Sequence, residues 1–165
     1  YGNEKALNQL LAHHGIIFQP EKRLVWVSSN PYQLGEFVAY DLNTVFSNTF
    51  EEVHSYAIDS LTIAEDPFIH TKAYADYEAF RKENRVIEQQ IKHNEKIEAA
   101  TLKAYQQLNP EYWLVYYRSG VYYYNQKEYQ LAKEAFEQAL TKEVTTVNAE
   151  KEIKKYLKKI NRKWN

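Results

Sequence analysis

The 165-residue chain contains no cysteine, which excludes disulfides, thiolate metal ligands and a cysteine nucleophile within these residues. It contains no methionine either. A natural reading frame starts with one, so a chain opening Tyr1-Gly2-Asn3 is expected to be a fragment of a longer protein. Neither sign of charge dominates: 21 Lys and Arg stand against 22 Asp and Glu, for a net charge of -1. That balance gives no general attraction to nucleic acid or to an anionic membrane, and neither is expected as a partner. No apolar run approaches the ~18 residues that a membrane span needs, and the N-terminus has neither the basic region nor the apolar core of a signal peptide. A targeting signal, if the protein carries one, would lie upstream of Tyr1, and no residue assigns a compartment.

What the chain has in excess is tyrosine, 15 in all, most of them between Tyr105 and Tyr129. They fall in and before the stretch that organises the sequence, WLVYYRSGVYYYNQKEYQLAKEAFEQALTKEVTT from Trp113 to Thr146. Two short helices can lie against each other only where small residues sit at the crossing point and large ones fill the gaps. Gly120 and Ala132 are the small ones. Ala132, Ala135, Phe136, Ala139 and Leu140 recur at i, i+3, i+4, i+7 and i+8, the apolar stripe of an amphipathic helix. Asn125 followed by Glu128 reads as an N-cap with its partner three residues on, which puts the turn at Asn125-Gln126.

Against the tetratricopeptide pattern W-x2-L-G-x2-Y…A-x3-F, this stretch places Tyr116 where the large aromatic goes, then Gly120, Tyr123, Ala132 and Phe136 at the matching spacings. Ser119 stands where the pattern wants Leu. The stretch therefore resembles a tetratricopeptide repeat, and that family implies a helical scaffold used for protein–protein contact. Its inner face, the ligand-contacting side of the first helix, maps to Leu114, Tyr117, Val121 and Tyr124. These four are the candidate binding residues, since Tyr supplies rigid amphipathic contact area. The competing expectation, strongest for Tyr116 and Tyr123, is that the tyrosines are internal packing.

From the N-terminus, Asn3 to Ala12 carries Ala6, Leu7, Leu10 and Leu11 on one helical face, with Gly15 as a C-terminal stop. Gly15-Ile-Ile-Phe18 and Arg23-Leu-Val-Trp-Val27 are apolar, β-rich runs joined by Gln19-Pro20-Glu21-Lys22, and Pro20 suits the second position of a turn. Both runs are apolar on successive residues, so each strand is expected to have both faces covered. A lone hairpin cannot satisfy that, and further layers are implied. Ser28 to Gly35 is a loop by composition, Glu36 to Tyr40 a third strand, and Asp41 to Pro67 an irregular connection that wraps a surface.

From Thr71 to Leu108 no Pro or Gly intervenes and helix-favouring residues abound. Tyr77, Phe80, Ile87, Ile91, Ile97, Leu102, Tyr105 and Leu108 form an imperfect stripe with a polar middle at Lys92 to Lys96. One long helix or two helices broken near Asn94 both fit. Asn109-Pro110 ends the segment. Pro110 falls where the Pro of a preceding repeat would, but Val86 occupies that unit's Gly position, which leaves one good repeat, a degenerate predecessor and no array. Ile153, Tyr156, Leu157, Ile160 and Trp164 mark a last helix that looks like a cap. Repeats usually need about three units to bury their faces, so the helical part must borrow a partner.

The segment NQLLAHHGIIFQPEKRLVWVSSNPYQLGEFVAYDL, Asn8 to Leu42, is similar to the C-terminal end of penicillin-acyltransferase-like N-terminal-nucleophile hydrolases. His14-Gly-Ile-Ile-Phe18, Pro20 and Leu24-Val-Trp-Val27 follow that family's order of His-containing entry, strand, Pro-bearing turn and return strand. The resemblance implies a four-layer αββα sandwich, self-cleavage exposing an N-terminal Cys, and acyl transfer or amide hydrolysis by that Cys acting with its own amine. A chain without Cys carries none of these catalytic residues, so no catalytic site is expected among these positions.

Other clusters weigh little. His13-His14, with His54, His70 and His93, do not make a metal site, because adjacent His diverge on either a strand or a helix. Glu51-Glu52, Asp59 and Glu65-Asp66 have no defined mutual geometry. Lys151, Lys154, Lys155, Lys158, Lys159, Arg162 and Lys163 read first as the solvated face of the last helix. The fold expected is α+β: residues 1–66 as a short helix, about three antiparallel strands and a wrapping connection, and residues 67–165 as a helical region with its best repeat at 113–146 and a cap near 148–164. The function expected is a C-terminal fragment of an acyltransferase or amide hydrolase, inactive alone, without metal or cofactor, and carrying a helical interaction tail. The alternative is a non-enzymatic interaction module. Partners are expected to be the upstream part of its own polypeptide or another protein, and an unpaired strand edge with an incomplete helical stack also invites homo-oligomers.

Overall fold

The computed structural model describes residues 12–47 and 55–164, with the side chains of Lys163 and Trp164 not described. The expected helix at 3–12, the Glu51-Glu52 pair and His54 lie essentially outside the described residues. The described residues form three strands and six α-helices, an α+β fold, and separate into two compact units that divide between Thr71 and Lys72.

The first unit is built on an antiparallel sheet of order β1-β2-β3, with β1 at Ile16–Gln19, β2 at Leu24–Ser28 and β3 at Phe37–Asp41. Pro20 opens a 3-10 turn over Pro20–Lys22, where its fixed φ fits and its missing N–H costs nothing. Arg23 follows with φ 53 and donates its N–H to the Pro20 carbonyl. The turn sets the register, pairing Ile16 with Val27 and Gln19 with Leu24. The loop after β2 is tied down from within: Ser28 Oγ accepts from the Gly15 N–H at 2.7 Å and donates to the Tyr32 carbonyl at 3.1 Å. Leu34 is buried there. After β3, Asp41 caps the short α1, Leu42–Val45.

Part of the connection expected to be irregular runs back beside β3. Ile63 bridges Phe37 and Ala57 bridges Tyr40, both antiparallel, and Trp26 Nε1 donates to the Leu61 carbonyl at 2.8 Å. Backbone pairing needs no apolar alternation, which is why a run poor in strand pattern still joins the sheet edge. The expected double cover of the strands is not supplied at β1. Ile16, Ile17 and Phe18 remain 54%, 43% and 65% exposed.

The second unit is helical: α2 Lys72–Lys92, α3 Ala99–Leu108, α4 Trp113–Asn125, α5 Tyr129–Leu140 and α6 Val147–Trp164. Of the two alternatives at 71–108, the break near Asn94 is the one realised. Asn94 takes φ 54, its N–H reaches the Ile91 carbonyl and the Glu95 N–H reaches the Gln90 carbonyl, a left-handed cap that satisfies the last carbonyls of α2. Tyr77, Phe80, Ile87, Ile91, Ile97, Leu102 and Tyr105 of the expected stripe are buried.

The turn between α4 and α5 corrects the sequence reading. Asn125 is the last residue of α4, and Glu128 precedes α5 without a side-chain cap bond. Lys127 adopts φ 64; the Glu128 N–H bonds the Tyr123 carbonyl and the Lys127 N–H bonds the Tyr124 carbonyl. A C-terminal cap of the first helix has replaced the expected N-cap of the second, because the orphan carbonyls of Tyr123 and Tyr124 find partners this way. Thr146 does cap α6, its Oγ1 accepting from the Ala149 N–H at 3.2 Å.

Candidate functional site

Helices α4 and α5 meet where the sequence put its small residues. A Cβ on Gly120 would sit 2.7 Å from two ring carbons of Phe136, and Phe136, Ala132 and Ala139 are fully buried. Ile153 and Ile160 of α6 complete this core with Trp113. Trp113 Nε1 donates to Thr145 Oγ1 at 3.2 Å, so the indole also fixes the chain entering α6.

The four candidate binding residues lie on α4 and are half-buried against this core. The Tyr117 ring lies between Trp113 at 5.7 Å and Phe136 at 6.2 Å. Burial and then the Glu152 carboxylate of α6, which accepts its hydroxyl hydrogen bond, push the Tyr117 phenol well above its ordinary value. Tyr124 meets Tyr129 at 5.6 Å and Tyr156 of α6 at 5.0 Å. Phe136 stacks on Tyr156 at 4.9 Å with 15° between the planes. Leu114 and Val121 pack on the same cluster. The aromatic face of α4 is therefore brought together under α6. The stripe Ile153, Tyr156, Leu157 and Ile160 was visible in the sequence, but which helix face it would cover was not.

A polar seam joins α4 to α2 and α3. Ser119, the departure from the repeat pattern, is fully buried, donates to the Val115 carbonyl at 2.8 Å and accepts from Gln106 Nε2 at 2.9 Å. Arg118 pairs with Glu88 at 2.6 Å, and Tyr105 donates to Asn84 Oδ1 at 2.6 Å. Tyr122 donates to the Ile97 carbonyl at 2.9 Å and accepts from the Ile97 N–H at 3.1 Å, both buried. The sequence marked Ser119 as a departure and placed Ile97 and Tyr105 in the apolar stripe, but it did not show which groups would pair, because every bond here except Ser119–Val115 links positions far apart in the chain.

Two hollows remain along α2 and α3. One of about 370 Å³ is bounded by Asp76, Leu108 and Glu111, and one of about 360 Å³ by Ala79, Glu83, Ala104 and Leu108. On α6 a shallow hollow of about 450 Å³ is lined by Lys154, Leu157, Lys158, Asn161 and Arg162. In the sheet unit His13 and His14 are exposed, and His70 Nε2 lies 2.7 Å from Glu65 Oε1 at the surface. Among the described residues no group of three His, Asp or Glu could hold a metal ion, and no helix is long and apolar enough to cross a membrane. The surface features among the described residues are thus an apolar strand edge, an acidic-walled groove along α2 and α3, and a basic hollow on α6. Comparison with protein-family models, curated proteins and solved structures gives no match.

Proposed function

We propose that the sheet unit is the closing part of a larger layered sandwich of the penicillin-acyltransferase-like kind, an acyltransferase or amide hydrolase. The helical unit is a tetratricopeptide-like tail for protein contact. The observation that carries the first half is β1, where three successive apolar residues stay exposed on both sheet faces. Strands apolar on both sides belong in the interior of a sandwich, and a small sheet with such an edge otherwise associates or aggregates. The chemistry would come from a Cys nucleophile outside these residues. The 165-residue chain alone should hydrolyse no amide, and turnover that survives purification would refute that.

The experiment is the intact mass and N-terminal sequence of the mature native protein that contains these residues. A chain that begins at a Cys and runs on into this segment supports the reading. A mature protein with no Cys overturns it.

The second reading, a non-enzymatic interaction module, is favoured by the Gly120–Phe136 contact, the small-on-large crossing on which a tetratricopeptide-like hairpin depends. In both readings the helical unit docks a protein. Deleting residues 72–165 from the native protein without losing any bound partner would sink that part.

A further inference from the structure

An antiparallel ladder bonds alternate residues, so a strand turns half of its backbone groups to one side and half to the other. In β2 the odd positions serve β3: the Leu42 N–H bonds the Arg23 carbonyl and the Ser29 N–H bonds the Glu36 carbonyl, at the two ends of that pairing. The even positions serve β1, as the Ser28 N–H does when it bonds the Gly15 carbonyl at 2.9 Å. The backbone groups of Gly15, Ile17 and Gln19 therefore point to β2, and those of Ile16 and Phe18 point outward. On β3 the outward groups belong to Phe37 and Ala39 and are used. Phe37 exchanges both bonds with Ile63, and the Ala39 carbonyl accepts from the Ile58 N–H at 2.8 Å. Ile16 and Phe18 have no such partner among the described residues.

The open edge of β1 is complementary to itself. A two-fold axis through Ile17 sets Ile16 opposite Phe18 twice, and each of those two pairs exchanges two N–H···O=C bonds, four in all. Across the pair a β-branched residue meets an aromatic one, a combination that stabilises sheets, and Ile17 meets its own counterpart at the axis. These three side chains are the ones that β1 leaves exposed. Beyond the strand, exposed Glu21 of one copy comes toward exposed His13 and His14 of the other, so an acid faces two bases. Pro20 has no N–H to donate and ends the ladder there. Pairing uses up the open edge of both copies and leaves no template for a third.

We infer that β1 pairs antiparallel with β1 of a second copy of this chain about a two-fold axis at Ile17, joining two three-stranded sheets into one. The inference goes beyond the sandwich reading, because it occupies the edge of β1 and leaves the faces of the strand to other layers.

Sedimentation velocity of the 165-residue chain over a concentration series should show monomer and dimer in equilibrium, with no larger species. Ile16→Pro removes an outward N–H that the chain's own sheet does not use, a placement in which edge strands tolerate Pro. It deletes two of the four intermolecular bonds and should weaken the dimer by at least about tenfold. Phe18→Lys, at an exposed position that keeps its N–H, should weaken it by roughly tenfold. Unchanged far-ultraviolet circular dichroism verifies the folding of both. Ile17→Cys reads the register, since the chain has no other Cys and facing residues of a non-hydrogen-bonded pair lie about 4.5 Å apart at Cα, within disulfide reach. With oxidised glutathione it should cross-link to a dimer at least about tenfold faster than Phe46→Cys, an exposed control in the same unit. A monomer at every concentration overturns the inference, and so do growth beyond the dimer, a dimer indifferent to either β1 substitution, or equal cross-linking of the two cysteine variants. The sandwich reading falls separately, on the N-terminal sequence of the mature native protein.

Discussion

Replacing Gly120 by Ala adds one methyl group at the most crowded point of the α4–α5 contact. That Cβ would lie 2.7 Å from Phe136 Cδ1 and Cε1 and 3.0 Å from Cγ, where carbon atoms rest at about 3.5–4.0 Å. The ring has nowhere to retreat. Phe136 is fully buried, with Tyr156 stacked at 4.9 Å and Tyr117 at 6.2 Å. Overpacking of this kind costs about 1–3 kcal/mol, against roughly 1 kcal/mol that Ala recovers over Gly in a helix interior. Gly120→Ala should therefore be neutral to destabilising by about 2 kcal/mol, the reverse of what an open helix would give. In a Phe136→Leu background the ring is gone and the same change should stabilise by up to about 1 kcal/mol. The double-mutant cycle, read by urea denaturation at 222 nm, should give a coupling of about 1–3 kcal/mol. A stabilising Gly120→Ala in both backgrounds, with no coupling, would refute the close approach.

Tyr122→Phe strips both hydrogen bonds from the Ile97 peptide and should cost about 1–3 kcal/mol, measured in the same denaturation. Tyr124→Ala removes the contacts with Tyr129 and Tyr156 and should destabilise by roughly 2–4 kcal/mol; lost partner binding at an unchanged melting temperature would show a recognition residue instead. Lys127→Gly relieves a positive φ and should stabilise by about 0.5–1 kcal/mol. Burial raises the phenols of Tyr77, Tyr105, Tyr117, Tyr123 and Tyr156, so the folded state holds their protons after the unfolded chain, near pH 10, has released its own. Their contribution is complete below pH 10 and lost as pH rises above it; helicity and tyrosinate absorbance at 295 nm should change together in that range, and early, separate ionisation would contradict it.

The sequence by itself determined what depends on near neighbours. Turn chemistry at Pro20 and successive apolar residues gave the β1–β2 hairpin, and the i, i+3, i+4 stripe gave α5 with Ala132 and Phe136 inward. The buried stripe from Tyr77 to Tyr105 was legible for the same reason, since helical period decides which side chains share a face. Capping was only half legible. The orphan carbonyls of α4 compete with the orphan N–H groups of α5 for one short turn, and the choice of Lys127 over Asn125 is settled by backbone bonds that no side chain announces. Tertiary structure alone decided the rest. It put α6 over Tyr117 and Tyr124, set Ser119 against Gln106, drew Ala57 and Ile63 back along β3, and left the α2–α3 groove open. Each of these joins residues far apart in the chain, and what fixes them is the closure of packing and hydrogen bonds between elements, a condition on pairs that periodicity within one element does not contain.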